Sequence, residues 1–136
     1  MKPILLDTGV IVALLDRSES EHQRCCDAVS GLRAALVTCE AVIAESCYLL
    51  RNIDGAVDAV LANVEKGTFL VAFDLSGSIS RVRELMHGYR DTPMDFADAC
   101  LVHLASELST GAILTLDSDF LVYRWGGNQP FKSILY

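Results

Sequence analysis

Four acidic residues stand where the surrounding sequence is apolar, and metal-ion chemistry is what they could support. Asp7 ends the apolar run ILL, and Asp117 ends the run ILTL. Glu45 and Asp98 each interrupt an apolar helical pattern, and a buried charge is costly unless it is paired or binds a metal. Carboxylates without basic neighbours repel one another. Mg²⁺ or Mn²⁺, which bind oxygen ligands, would relieve this repulsion and could activate water against a phosphate.

Most of these acidic residues, and two others near them, also have an ordinary structural explanation. Asp7 and Asp117 could each be a helix cap or a turn residue, and for either one alone this explanation is favoured. Glu45 could equally form a salt bridge with an arginine. Asp95 is interpreted as an N-terminal helix cap, and Asp119 as a turn residue or a weak member of the site. The combination of several acids, rather than any one of them, favours a metal site.

The elements that must position these acids alternate between strand and helix patterns. Strands are predicted over 3–7, 34–38, 68–72, 111–117 and 131–136, and helices over 8–16, 18–31, 39–52, 54–67, 76–89 and 94–108. This alternation predicts a parallel sheet with helices on both faces. Ligands bind such sheets at the carboxyl ends of the strands. Asp7 and Asp117 should therefore lie at one edge, on neighbouring strands, with Thr8 capping the first helix.

Composition sets the class of protein that can carry such a site. The chain has 136 residues, of which 51% are hydrophobic, so we expect one domain over 1–136. We find no run long enough to cross a membrane and no signal peptide. The five cysteines form no C-x-x-C pair, which favours buried thiols in a reducing cytoplasm. The net charge of −7 argues against a general electrostatic grip on nucleic acid, although a bound cation reverses the field locally.

The order of the acidic motifs resembles the PIN domain family, and within it the VapC-type toxins of toxin–antitoxin pairs. The segment LLDTGVIVALL is similar to the first motif of the family, and Glu45 in VIAESCYLL matches the second acidic position. The segment PMDFADACLVHLA resembles the third motif through Asp98. The segment ILTLDSDF resembles the fourth motif, with Thr115 and Asp117 in place. The match spans nearly the whole chain.

This resemblance implies a fold, an activity and a set of partners. The fold is an α/β protein, a three-layer α/β/α sandwich with a central, mostly parallel sheet. The activity is cleavage of RNA phosphodiester bonds with Mg²⁺ or Mn²⁺, and the partners are a cognate antitoxin and a second copy of the chain in a homodimer. The implied catalytic residues are Asp7, Glu45, Asp98 and Asp117. The implied metal ligands are Asp7, Asp98 and Asp117, and the supporting residues are Thr8, Asp95 and Thr115.

Two other classes of function fit parts of the pattern. A phosphatase of the haloacid dehalogenase type also begins with a strand-ending aspartate, but its motif needs a second acid where this chain has Gly9. A non-catalytic binding module could use the acidic pocket to receive a basic partner. Tyr123 and Trp125 could stack on bases, but packing is the favoured interpretation for both. An assay of metal-dependent RNA cleavage would separate the three classes.

Overall fold

A parallel five-stranded sheet lies at the centre of the computed structural model, which describes residues 2–89 and 91–135. The seven strands of the described chain are β1 (Ile4–Leu6), β2 (Leu36–Thr38), β3 (Phe69–Val71), β4 (Ala112–Leu114), β5 (Arg124–Trp125), β6 (Gln129–Pro130) and β7 (Lys132–Ser133). The sheet has the order β3-β2-β1-β4-β7, and all of its pairings are parallel. The predicted mostly parallel sheet is therefore confirmed.

Strands β1 and β4 are neighbours although more than a hundred residues separate them in the chain. Leu5 pairs with Ile113, and the backbone N–H of Asp7 donates to the carbonyl of Leu114 at 3.0 Å. All three residues of β1 are buried, as expected for a strand that is covered on both faces. The prediction that Asp7 and Asp117 follow neighbouring strands is confirmed.

All six predicted helices are present. They are α1 (Thr8–Leu15), α2 (His22–Ser30), α3 (Glu40–Leu49), α4 (Ala56–Glu65), α5 (Leu75–Gly88) and α6 (Phe96–Leu108). They flank the sheet in the predicted three-layer arrangement, in which α1 packs against α2 and α3, and α5 packs against α6. Helix α6 is the most deeply placed, with eight buried residues that include Asp98. Within the described ranges, no helix has the length and apolar character needed to cross a membrane.

Several predicted elements are shorter in the structure: β4 ends at Leu114 rather than at residue 117, α3 ends at Leu49 rather than at residue 52, and two others change more. Helix α2 begins at His22 rather than at residue 18, because the Asp16 carboxylate accepts hydrogen bonds from the Ser18 backbone and hydroxyl at 3.0 and 2.6 Å and forms a turn. The predicted last strand, 131–136, is represented only by the two residues of β7, and Tyr136 lies outside the described residues.

A short segment between β4 and β7 was not predicted to have regular structure. It contains a 3₁₀ helix, η1 (Ser118–Leu121), and the antiparallel hairpin of β5 and β6. The indole N–H of Trp125 donates to the carbonyl of Pro130 at 3.0 Å across this hairpin. Two-residue strands are too short to show a periodic pattern, so the sequence did not indicate them.

Candidate active site

Thr115 connects the two aspartates that follow neighbouring strands. Its hydroxyl donates to Oδ2 of Asp7 at 2.7 Å, and the hydroxyl oxygen of Thr115, Oγ1, accepts the backbone N–H of Asp117 at 3.0 Å. Thr115 is almost fully buried, and its hydroxyl is satisfied there by one donated and one accepted hydrogen bond. The structure thus places Asp7, Thr115 and Asp117 together at the carboxyl edge of the sheet, where the sequence predicted a site.

Asp7 combines two roles that the sequence treated as alternatives. It is the N-terminal cap of α1, because its Oδ1 accepts the backbone N–H of Thr8 at 2.8 Å. It is also a buried carboxyl group, with 6% of its surface exposed. Burial raises the pKa of Asp7 to about 6 against the lowering effect of its hydrogen bonds, and the negative charges of Asp117 and Glu45 raise it further.

The prediction that Thr8 caps α1 is wrong, because Asp7 occupies the cap position and Thr8 is the first helical residue. Thr8 is buried, and its hydroxyl oxygen has no hydrogen-bond partner among the described residues. A buried hydroxyl without a partner costs free energy. A water or a hydrated cation beside Asp7 would satisfy this hydroxyl, which fits its assignment as a supporting residue.

Asp98 is the second deeply buried carboxyl group, with 7% of its surface exposed. It lies in the first turn of α6, where the exposed Asp95 caps the helix by accepting the Asp98 backbone N–H at 2.8 Å. This confirms the interpretation of Asp95 as a cap. Burial raises the pKa of Asp98 to about 7, the charges of Asp95, Asp7 and Asp117 add to the rise, and a hydrogen bond from Tyr123 opposes it.

Asp117 lies at the edge of the pocket and is half-buried. It caps η1 by accepting the backbone N–H of Asp119 at 2.9 Å, so it too is both a cap and a neighbour of the buried acids. Asp119 contributes its backbone to this turn, which agrees with its interpretation as a turn residue. In the described part of the chain, none of the ion pairs includes Asp7, Asp98 or Asp117.

Glu45 is not buried, which corrects the expectation that it interrupts a core-facing stripe. It is exposed on α3, and so are its apolar neighbours Tyr48 and Leu49. The helix turns this face toward solvent, because its buried positions are Val42 and Ser46 instead. Glu45 is nevertheless near enough to Asp7 for its charge to raise the pKa of that group. It therefore lies at the outer rim of the acidic pocket.

The donor set fits a hard divalent cation that keeps part of its hydration shell. Among residues 2–89 and 91–135, no three His, Cys, Asp or Glu side chains are arranged to hold a metal ion as they stand. Mg²⁺, however, is usually bound through only one or two carboxylates and several waters. Asp7 and Asp98 supply two such carboxylates, and a cation bound to them would stabilise the charged forms that burial disfavours in both groups.

The comparison with known families agrees with this geometry. The family model described as "PIN domain" matches residues 4–126. The chain is a member of the PIN domain family. The matched range contains all four motifs that carry the resemblance, from the strand before Asp7 to the segment after Asp117, so the sequence-based recognition is confirmed.

Two mycobacterial proteins illustrate the similarity of this PIN domain to known ones. Ribonuclease VapC26 of Mycobacterium tuberculosis is 31% identical over 116 residues, which cover 84% of this chain and 86% of that protein. The crystal structure of M. tuberculosis VapC20, a sarcin–ricin loop cleaving toxin, superimposes with a TM-score of 0.79 at 19% identity. That alignment covers 85% of this chain and 91% of the other, and at this identity it shows the shared fold.

Membership of the PIN domain family replaces the phosphatase alternative, which lacked its second acid at Gly9. One contact of the site was not foreseen from the sequence: the hydroxyl of Tyr123 lies 3.2 Å from Oδ2 of Asp98. Tyr123 is fully buried, so its interpretation as a packing residue rather than a base-stacking one is confirmed. No local pattern links residues 98 and 123, and only the folded chain reveals that this packing residue also touches the site.

Proposed function

We propose that the protein is a metal-dependent endoribonuclease and the toxin of a toxin–antitoxin pair. The observation that carries this proposal is the buried pair Asp7 and Asp98, whose pKa values are raised to about 6 and about 7 beside the further carboxylate of Asp117. Such a pocket is unfavourable to folding unless a cation occupies it. The name of the relative Ribonuclease VapC26 supports RNA as the substrate.

The proposed roles of the residues in the reaction differ with their burial. Asp7, Asp98 and Asp117 are the proposed metal ligands, and Thr115 orients Asp7 through the 2.7 Å hydrogen bond. A bound Mg²⁺ or Mn²⁺ would supply an activated water and stabilise negative charge on the phosphate. Glu45, exposed at the rim, is proposed to accept a proton from the attacking water. Asp95 caps α6, and the buried hydroxyl of Thr8 is proposed to contact a water of the hydrated cation.

Purified protein is expected to cleave total RNA when Mg²⁺ or Mn²⁺ is added and to stop cleaving when EDTA is added. The physical reason is that the acidic pocket repels the phosphate until a cation reverses its field. The measurement is gel analysis of the RNA over time, with a DNA strand of matched sequence as a comparison. If RNA stays intact in Mn²⁺ while a basic peptide binds the pocket, the protein is a non-catalytic binding module instead.

The proposed antitoxin would act on the same pocket. The uncompensated carboxylates of Asp7 and Asp98 are the natural target for a cationic side chain, which would compete with the metal ion. The proposed place of action is the cytoplasm, where the free thiols of all five cysteines would be kept reduced. The partner is therefore proposed to be a cytoplasmic protein with a basic segment.

We also propose that two copies of the chain form a homodimer through helices of the first half. Large apolar side chains of α3, α4 and their connection are exposed there: Tyr48 at 62%, Leu49 at 53%, Ile53 at 38% and Leu61 at 50%. Apolar patches of this kind mark interaction sites. We expect light scattering at micromolar concentration to give the mass of a dimer, and Leu49→Glu to give that of a monomer.

A matched control for the dimer test lies in the second half of the chain. Leu121 is 62% exposed, against 53% for Leu49, so Leu121→Glu introduces the same charge at an exposed apolar position outside the proposed interface. This variant should remain a dimer. A parent protein that is monomeric throughout, or a Leu121→Glu variant that dissociates as readily as Leu49→Glu, would contradict the proposed interface.

A further inference from the structure

The hydroxyl of Tyr123 reaches two oxygen acceptors that belong to different parts of the pocket wall. It lies 2.8 Å from the carbonyl oxygen of Pro93, in the turn that precedes α6, and 3.2 Å from Oδ2 of Asp98, in the first turn of that helix. Both distances are within hydrogen-bonding range. The hydroxyl has a single hydrogen, which is shared between these two acceptors, so the same group contacts both the turn before α6 and the carboxyl group of Asp98.

The ring that carries this hydroxyl has no freedom to move away. Tyr123 is completely buried, and its ring makes edge-to-face contacts with the rings of Tyr89 and Phe120, each with centroids 5.1 Å apart. Phe120 makes a further edge-to-face contact with Phe131, next to β7. Side chains in such packing keep one rotamer. The position of the hydroxyl is thus fixed by the aromatic cluster and not by the pocket.

Asp98 is held at two points as a result. Asp95 fixes its backbone by capping the helix, at 2.8 Å from the Asp98 nitrogen. Tyr123 contacts its side chain at Oδ2, and no hydrogen bond to Oδ1 is seen among the residues that the structure describes, so Oδ1 is the oxygen that remains to bind a cation. A carboxylate held in this way loses little rotamer freedom when it binds a metal, and outer hydrogen-bond partners of metal ligands act through this effect.

We propose that Tyr123 is a positioning residue for the metal site, acting through the carboxyl group of Asp98. This inference rests on the proposed function, since it assigns a partner to one of the proposed metal ligands. It does not require Tyr123 to touch the RNA or the metal. Its hydroxyl limits the orientations of the Asp98 carboxyl group. The packed aromatic cluster limits the movement of the hydroxyl itself.

The test compares Mn²⁺ binding by the parent and by Tyr123→Phe, without RNA. The variant keeps the ring and removes the hydroxyl. We expect its dissociation constant for Mn²⁺, measured from the electron paramagnetic resonance signal of free Mn²⁺, to rise by about 10- to 100-fold, the usual loss when an outer partner of a ligand is removed. The melting temperature in EDTA should change no more than it does for the control variant.

Tyr89→Phe is the matched control. Tyr89 belongs to the same aromatic cluster, and its hydroxyl accepts the backbone N–H of Arg124 at 2.9 Å, so this variant also removes one hydrogen-bonding hydroxyl. It should bind Mn²⁺ as the parent does. The proposal is overturned if both variants weaken binding equally, if Tyr123→Phe binds as the parent does, or if Tyr123→Phe lowers the EDTA melting temperature far more than Tyr89→Phe, which would make the hydroxyl structural.

The Mn²⁺ binding test, taken together with the RNA cleavage assay, separates this inference from the proposed function. A parent protein that binds Mn²⁺ in a Tyr123-dependent way but leaves RNA intact would support the positioning role and contradict the ribonuclease. If the parent protein cleaves RNA while Tyr123→Phe retains full Mn²⁺ affinity, the result would support the ribonuclease and contradict the positioning role of Tyr123. A parent protein that binds no Mn²⁺ would overturn both.

Discussion

Replacing either buried aspartate by asparagine, as Asp7→Asn or Asp98→Asn, is expected to reduce Mn²⁺-dependent RNA cleavage by about 100-fold or more. Asparagine keeps the shape and one oxygen acceptor but removes the negative charge that a divalent cation requires. Loss of an outer partner of a ligand already costs about 10- to 100-fold, so loss of a direct ligand should cost at least as much. The measurement is the initial rate of RNA cleavage at saturating Mn²⁺.

The acids at the edge of the pocket allow the same assay to rank the members of the site. Glu45→Gln changes an exposed carboxylate at the rim and should reduce the rate less than Asp98→Asn does. Asp58→Asn removes one exposed negative charge on α4, a helix that carries none of the four acids of the site, and should leave the rate unchanged. If Asp7→Asn cleaves RNA as fast as the parent protein, the assignment of this pocket as the active site is contradicted.

The metal-free protein is expected to lose stability as the pH rises from about 4 to about 8. The folded pKa values of Asp7 and Asp98 are about 6 and about 7, above the ordinary value of 3.8. Between these values the folded state binds more protons than the unfolded state, so the free energy of unfolding falls with rising pH. At about 1.36 kcal/mol for each unit, Asp98 alone would contribute at most about 4 kcal/mol to this fall.

The variant Asp98→Asn should reverse part of that loss. In EDTA at pH 8 it should melt at a higher temperature than the parent, and at pH 4, where both carry a neutral group, the difference should vanish. Mn²⁺ binds the folded parent and should stabilise it by about 2.7 kcal/mol at 100 times the dissociation constant. This stabilisation should shrink in the variant. The measurement is a thermal melt of both proteins at each pH, with EDTA and with excess Mn²⁺.

Asp58→Asn is again the control, since it removes an exposed charge and leaves the buried carboxyl groups of the pocket unchanged. Its melting curves should follow those of the parent at both pH values and respond fully to Mn²⁺. If Asp98→Asn instead lowers the melting temperature in EDTA and keeps the full response to Mn²⁺, then Asp98 serves the structure of α6 and is not a metal ligand.

Much of the architecture was predictable, because local sequence indicates which segments form strands and which form helices, even where their ends differ. The apolar run before Asp7 and the similar run before Asp117 identified strands buried on both faces, and the alternation of strand and helix patterns required a parallel sheet. The edge at which the two aspartates would meet follows from the rule that parallel strands end on the same side. The structure confirms these elements and the pairing of β1 with β4.

Which face of a helix is buried was less predictable, because an apolar stripe in the sequence does not identify the element that packs against it. Around Glu45 the stripe that includes Tyr48 and Leu49 resembles a core face, yet the residues of α3 that are buried are Val42 and Ser46. The apolar side chains on the other face remain exposed, and we propose that a second copy of the chain covers them. The orientation of α3 thus depends on its neighbours α1, α4 and α6, which local periodicity does not describe.

The sequence by itself determined the fold class, the family and the chain positions of the acids, since these depend on residue types and short-range spacing. The tertiary structure alone decided which acids are buried, which hydrogen bonds orient them and how far their pKa values rise. Thr115 meets Asp7 and Tyr123 meets Asp98 across separations of 108 and 25 residues. Such contacts arise only after the strands pair and α6 packs, because hydrogen bonding and desolvation act over a few ångströms in space and are independent of distance along the chain.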